Sequence, residues 1–380
     1  MILDYETLKI IWWLFVGLLL IGFVLTAGFD LGIGTLLPFL GKKDEERRVI
    51  INTIGATWEG NQVWLVLGAG AVFAAWPLIY AAAFSGFYAA MLLALFALVI
   101  RPGGFAYRSK LSDPRWRSLW DWALFVGGVV PALIFGVAFG NLLQGVPFHY
   151  DDTLRSFYTG SFFALFNPFA LLAGIVSVAM LVMHGGIFLQ IRTEGEINAR
   201  AKRAVMIFSG LFVVALALAG LWVAFGIDGY RVISMPDPNS SFTPLEKTVD
   251  KVTGAWLVNY RLYPWTVLAP VAGFAGAIIA WFLSQRNQAG SAFIASSLSL
   301  TGVVLTTGFA MFPFMMPSSS HPGHSLTVWD GVSSHLTLSW MFWATVVFLP
   351  VIIAYTSWVF RVLRGKVTVE DIRKDEHSAY

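Results

Sequence analysis

The 380-residue chain is 57% hydrophobic and 12% charged, with a formal net charge of +3 and a mean hydropathy of +0.71. An average soluble domain carries roughly 25% charged residues, so this chain cannot hide its apolar surface from water by folding alone, and its small net charge calls for no nucleic-acid partner. The lack of cysteine excludes disulfides, CxxC redox chemistry, thiolate metal sites and covalently attached c-type haem.

Apolar segments recur at about 8–36, 50–74, 78–100, 119–140, 161–190, 205–227, 264–284, 290–316 and 335–362. Each can cross a hydrocarbon core of ~30 Å at ~1.5 Å per residue. The expected fold is therefore all-α: a polytopic membrane protein with nine transmembrane helices, arranged as two four-helix bundles plus one peripheral helix. The start, MILDYETLK, carries Asp4 and Glu6 and has no basic n-region or small-residue cleavage site, so the first segment is expected to be a retained helix. No linker is long enough to separate soluble domains, and residues 1–380 are expected to form a single membrane domain. The longest connection, 228–263, reads as an ordered external loop in which Trp256, Tyr260 and Tyr263 suit an interfacial aromatic belt. Residues 363–380 read as a cytoplasmic tail.

Lys and Arg in the connections set the expected orientation. Nineteen fall on the side of the loops at 37–49, 101–118 and 191–204, the turn near 285–289 and the tail, against six on the other side, Lys9 and Lys247 among them. The N-terminus is expected outside and the C-terminus in the cytoplasm, as an odd number of spans requires.

Two carboxylates interrupt the first two spans. Asp30 lies in VLTAGFDLGIG, and Glu59 lies in NTIGATWEGNQVW (52–64) with Asn61 and Gln62 between Trp58 and Trp64. A carboxylate at the bilayer centre costs ~2.5–3.5 kcal/mol on insertion scales, so such groups face the bundle interior and mark a pathway. Counted as continuous helices, the spans place Asp30 ~9 Å and Glu59 ~13 Å from the cytoplasmic end, at similar depth. The two acids then read as a proton-conducting or charge-compensating pair opening to the cytoplasm, with Trp58 shielding Glu59 from water and Asn61 and Gln62 in support. Polar glue between helices is the plainer alternative. Arg101 ends the third segment at the same level; it reads either as a partner for one acid or as a snorkelling anchor. Gly28 and Gly32 have the GxxxG spacing that lets helices approach closely.

His184 has no second imidazole at its depth for a bis-histidine haem and reads as hydrogen-bonded packing. Met311, Met315 and Met316 read as packing too, so no metal site is expected in this chain. His149, His321, His324 and His335 fall in or beside external loops, and His377 in the tail.

Longer motifs occur in order along the whole chain: GFDLGIG at Gly28–Gly34, ERRVIIN at Glu46–Asn52, TWEGNQVWL at Thr57–Leu65, FAAWPLIYAAAFSGFY at Phe73–Tyr88, RPGGFAYRSK at Arg101–Lys110, GVAFGNLLQGVPF at Gly136–Phe148, GAWLVN at Gly254–Asn259, FPFMMPSS at Phe312–Ser319 and SLTVWD at Ser325–Asp330. In these the chain resembles subunit II of the cytochrome bd quinol oxidases, and the Trp-Glu-Gly-Asn form at Trp58–Asn61 is similar to the cyanide-insensitive branch. The resemblance implies a terminal oxidase of the bacterial cytoplasmic (inner) membrane that oxidises quinol and reduces O2 to water. It implies two haems b and one haem d held by the larger subunit I, a small single-helix subunit, contacts with membrane lipids, and a structural quinone in some members. Carried over by motif, Asp30, Glu59 and Arg101 correspond to a cytoplasmic proton path. The family's first-span motif is commonly TDGFDLG, with two acids, whereas this chain has Ala27 at the first of them. From the residues alone, the competing reading is an ion-coupled secondary transporter built on the same acids.

Overall fold

The computed structural model of the chain describes residues 3–374; the last six residues of the expected tail, His377 included, lie outside them. The structure is an all-α bundle whose long helices are α1 (Tyr5–Leu40), α3 (Trp58–Ala75), α5 (Tyr88–Tyr107), α6 (Pro114–Gln144), α7 (Pro168–Arg192), α8 (Gly195–Phe225), α10 (Leu268–Gln285), α11 (Ala289–Met311) and α12 (His335–Val362). Among the described residues, eight helices are long and apolar enough to cross a membrane. The ninth, α3, owes its lower hydropathy to the polar first turn that carries Glu59, Asn61 and Gln62.

Short helices complete the chain: α2 (Asp44–Asn52), α4 (Pro77–Gly86), α9 (Val258–Leu262) and α13 (Val369–Lys374). The helices α1, α3, α5 and α6 pack as one group, and α7, α8, α10 and α11 as a second. The two groups meet along α1, α6 and α7. The peripheral helix is α12, with 6% of its span buried, while α7 at 72% is the best covered.

Two expected spans are broken. The second does not run from Ile50, because α2 stops at Asn52 and the chain turns through 53–57 before α3 begins. Thr53 Oγ1 donates to the Ile50 carbonyl at 2.6 Å and Thr57 Oγ1 to that of Ile54 at 3.3 Å, closing the turn with side chains that compete for helix carbonyls. The third is displaced. Pro77 opens the separate ten-residue helix α4, the chain breaks at Phe87, and the spanning helix α5 starts at Tyr88. Arg101 therefore sits inside α5 instead of just past it.

Three antiparallel hairpins gather at one end of the bundle: β1 (Phe148–Tyr150) with β2 (Ser156–Tyr158), β3 (Asp228–Ser234) with β4 (Thr248–Thr253), and β5 (Phe314–Met316) with β6 (Leu326–Thr327). The opposite, basic end carries α2 and α13. The core runs between these ends. Trp12, Trp76, Phe148 and Val328 fill the hairpin end, Phe23, Met180 and Phe212 the middle, and Phe29, Leu37, Ile50, Trp58 and Phe105 the basic end.

Several residues read as interfacial are buried pegs. Trp12, Trp76 and Trp256 donate their indole N–H to the carbonyls of Leu338, Val328 and Leu143 at 3.1, 3.1 and 2.9 Å. A buried indole needs a partner for its N–H, and these three find it on the backbone of α12, of the loop after β6 and of the last turn of α6, respectively. Tyr263, by contrast, is exposed.

The glycines of α1 do what their spacing predicts. A Cβ on Gly32 would lie 2.0 Å from the Leu181 carbonyl oxygen of α7, and Gly185 of α7 packs in turn on Phe29 and Ile33. Gly32→Val is therefore expected to cut the amount of folded subunit in membranes by at least about half, whereas Gly210→Ala, which has open space around it, leaves it unchanged; immunoblotting and thermal unfolding in detergent check both.

Candidate functional site

Asp30 is fully buried where α1, α3 and α5 meet. Its Oδ2 accepts a hydrogen bond of 2.9 Å from Asn61 Nδ2, and Asn61 is itself 2% exposed. The turn at 53–57 sets Asn61 on the inner face of the first turn of α3, so the residue opposite Asp30 is the amide and not Glu59. Glu59, two residues earlier in the same helix turn, faces outward and is exposed, and Gln62 is half-buried. Trp58 does not cover Glu59. It turns inward, is 5% exposed, and stacks on Phe105 with ring centroids 4.8 Å apart and planes 9° apart.

Arg101 is 3% exposed, which sets aside the snorkelling reading. Its guanidinium carbon lies 5.7 Å from the Trp58 ring, and its side chain lines the same small cavity as Asp30. Asp30 Oδ1 and Arg101 Nη2 are both buried without a hydrogen-bond partner. All six residues singled out in the sequence thus lie around the start of α3, but on two sides of it. Asp30, Asn61, Arg101 and Trp58 form an interior cluster, and Glu59 and Gln62 look towards the outer face.

Behind this cluster, at the basic end, lies an ion network that the sequence concealed among topology signals. Asp121 is fully buried and accepts from Arg108 Nε at 2.6 Å and from Arg47 Nη1 at 2.8 Å. Asp44 joins Arg108 at 2.8 Å and Arg117 at 2.6 Å. Glu46 caps α2 by accepting from the backbone N–H of Lys42 and Lys43, and it takes a two-pronged bond from Arg200 at 2.7 and 3.3 Å. The available signal was an acid placed among basic residues, as in KKDEERR, and Asp121 between two tryptophans. The chain then folds back over this end, with Arg192 bonded to the carbonyls of Leu363 and Gly365 and Arg373 to Glu45.

At the hairpin end Lys9, counted as a loop charge, is fully buried and donates to the carbonyls of Pro238, Ser240 and Trp329 at 2.8, 3.0 and 3.0 Å. Lys247 and Asp330, both fully buried, pair at 3.1 Å. Burial pushes the Lys247 ammonium down and the Asp330 carboxyl up, and each charge draws the other back.

His184 bonds through both ring nitrogens, Nδ1 with Ser296 Oγ at 2.7 Å and Nε2 with the Leu25 carbonyl at 3.1 Å, and stacks on Phe293. Both ring nitrogens of His184 are thus engaged in hydrogen bonds within the bundle. A separate apolar groove of about 550 Å³ runs between α1, α6, α7, α8 and α11, lined by residues such as Phe23, Phe135, Met180 and Val223, with Tyr260 and Arg261 at its hairpin-end mouth.

Fold and site together define an all-α, multi-pass membrane subunit with a buried acid–amide–guanidinium cluster. The family described as cytochrome bd terminal oxidase subunit II matches residues 8–363, and the chain belongs to it. It is 51% identical over 378 residues, covering 100% of both chains, to cytochrome bd-I ubiquinol oxidase subunit 2 of Escherichia coli (strain K12). It is 32% identical over 362 residues, covering 94% of this chain and 96% of the other, to cytochrome bd ubiquinol oxidase subunit 2 of Bacillus subtilis (strain 168). A chain in the structure of bd oxidase from Geobacillus thermodenitrificans shares the fold with a TM-score of 0.67 at 17% identity, covering 94% of this chain and 98% of that one. Family membership weighs against the transporter reading.

Asp121→Asn removes charge from a pair whose two side chains are each 1% exposed. It is expected to cost about 3–5 kcal/mol of stability, read as a lowered detergent unfolding temperature. Glu46, held below the usual carboxylate range chiefly by Arg200, contributes stability that is fully present above about pH 4.3 and is lost as pH falls through its lowered value. Thermal unfolding followed below pH 4.5 should show an acid-induced loss that is smaller in Glu46→Gln.

Proposed function

We propose that this chain is the second subunit of a quinol:O2 oxidoreductase, one that scaffolds a larger haem-bearing subunit I and leads protons from the cytoplasm towards the site of O2 reduction. The observation that carries the proton route is the burial of Asp30 against Asn61 and Arg101, because ionisable groups in membrane helices are costly and polar glue needs only amides. The basic end is taken as cytoplasmic and the hairpin end as external, in keeping with the positive-inside rule.

In this reading Asp30 holds the proton inside the bundle and Asn61 fixes its carboxylate through Oδ2. Arg101 balances the charge. Glu59, exposed on the outer face of the first turn of α3, is the group that hands protons across to subunit I. Glu59 and Gln62 then belong to a site that the partner completes. Haem supplies O2 reduction when bound. We assign it to subunit I on the motif resemblance, and the engagement of both His184 nitrogens in hydrogen bonds agrees with that assignment. The motif resemblance supports two haems b and one haem d on subunit I and a small single-helix subunit beside it. The apolar groove suits the isoprenoid tail of a structural quinone, with Phe135, Met180 and Val223 along the tail and Tyr260 and Arg261 near its polar ring. The quinol that is oxidised delivers its electrons to subunit I.

Glu59→Gln is expected to leave the haem content of the membranes unchanged while slowing quinol-driven O2 consumption and proton uptake by about tenfold or more. Unchanged turnover at normal haem content would reduce the chain to a scaffold.

A further inference from the structure

The cavity shared by Asp30 and Arg101 has a volume of about 10 Å³, and apart from these two residues its wall is apolar, with Ile33, Leu37, Ile54 and Phe105 among its members. A cavity needs ~10–15 Å³ of such space, about one probe sphere, to hold a water molecule. The two polar residues of this wall each have a buried side-chain atom that lacks a partner: Asp30 Oδ1, an acceptor, and Arg101 Nη2, a donor. The other carboxylate oxygen is already engaged by Asn61. Leaving a buried charged group short of a hydrogen bond costs more than leaving a neutral one, so both atoms favour an occupant.

The chemistry of the wall selects that occupant. It must accept from a guanidinium and donate to a carboxylate, and it must fit a space of one small molecule. A carboxylate and a guanidinium already balance each other's charge, so an added cation or anion would leave an uncompensated charge in an apolar wall. A neutral water satisfies all of these conditions. We propose that one water molecule is bound here, accepting from Arg101 Nη2 and donating to Asp30 Oδ1, so that the two residues form a water-mediated ion pair and the water is the point at which Asp30 exchanges protons with the basic end. The exchange step rests on the proton-route reading. In it the water passes one proton to Oδ1 as it receives one from solvent water behind it, and it is left unchanged, while Arg101 keeps its proton throughout.

The test is infrared difference spectroscopy on the intact oxidase complex, in H2¹⁶O and in H2¹⁸O. The expected result is an ¹⁸O-sensitive O–H stretching band that is lost in Ile54→Phe, which fills the cavity and leaves Asp30 and Arg101 in place, with slowed proton uptake at unchanged haem content. Absence of such a band from the unaltered complex, or its persistence in Ile54→Phe, overturns the proposal. Should Ile54→Phe fail to assemble, density maps of the unaltered complex decide it: a water peak ~2.7–3.2 Å from both atoms supports the site, and a continuous direct contact between the two side chains contradicts it. Normal turnover in Asp30→Asn with the band present in the unaltered complex would remove the proton route and leave the water. Slowed turnover in Asp30→Asn with no band in the unaltered complex would remove the water and leave the route.

Discussion

Asp30 has no exposed surface, and a carboxylate in that position constrains the helices around it. It needs a donor, which α3 supplies through Asn61, and it needs an opposing charge, which α5 supplies through Arg101 across the small cavity. For Asn61 to reach it, α3 must begin at the depth of Asp30, and that is the consequence of ending α2 at Asn52 and turning through 53–57. For Arg101 to reach it, α5 must carry the arginine inside its length, and that follows from the break at Phe87. The backbone irregularities of this region are thus the means by which three helices serve one buried charge.

The two ends of the bundle hold that arrangement by different means. At the basic end, ion pairs among Asp121, Arg108, Arg47, Asp44 and Arg117 tie α2 to the connection after α5 and to the first turns of α6. At the hairpin end, Lys9 gathers carbonyls from two separate loops, while Trp12 pegs α1 to α12, Trp76 pegs the junction of α3 and α4 to the loop at Val328, and Trp256 pegs the 228–263 connection to α6. Both devices satisfy backbone or charged groups that would otherwise be buried unpaired. Between them the close crossing of α1 on α7 at Gly32 and Gly185 joins the two four-helix groups.

The all-α, polytopic class was legible in the sequence, because runs of about twenty apolar residues admit little else, while eight of the nine expected spans meet the length and apolarity of a membrane helix among the described residues. The peripheral place of α12 and the contact of Gly32 with α7 also agree with what was read. Helix breaks were not legible where apolar character continues across them, as at Phe87, or where two threonines close a turn beside an apolar run, as at Thr53 and Thr57. Helical spacing gives faces relative to one another but not which face turns inward, so Glu59 was expected in the interior that Asn61 occupies. Basic residues near span ends serve both topology and pairing, and only the fold distinguishes them; Arg101 and Arg108 proved to be buried. Asp121 lies between two tryptophans that signal a membrane interface, and Lys9 near a span end reads as a topology charge, so neither pattern reveals a buried charge.

The central claim is that a buried carboxylate in this chain carries protons drawn from the basic side. Time-resolved charge movement in proteoliposomes containing the whole oxidase, with Asp30→Asn compared against the unaltered protein at matched haem content, addresses it most directly. Charge displacement during quinol-driven turnover is expected to slow together with proton uptake from the basic side. An unchanged charge-displacement rate in that variant would contradict it.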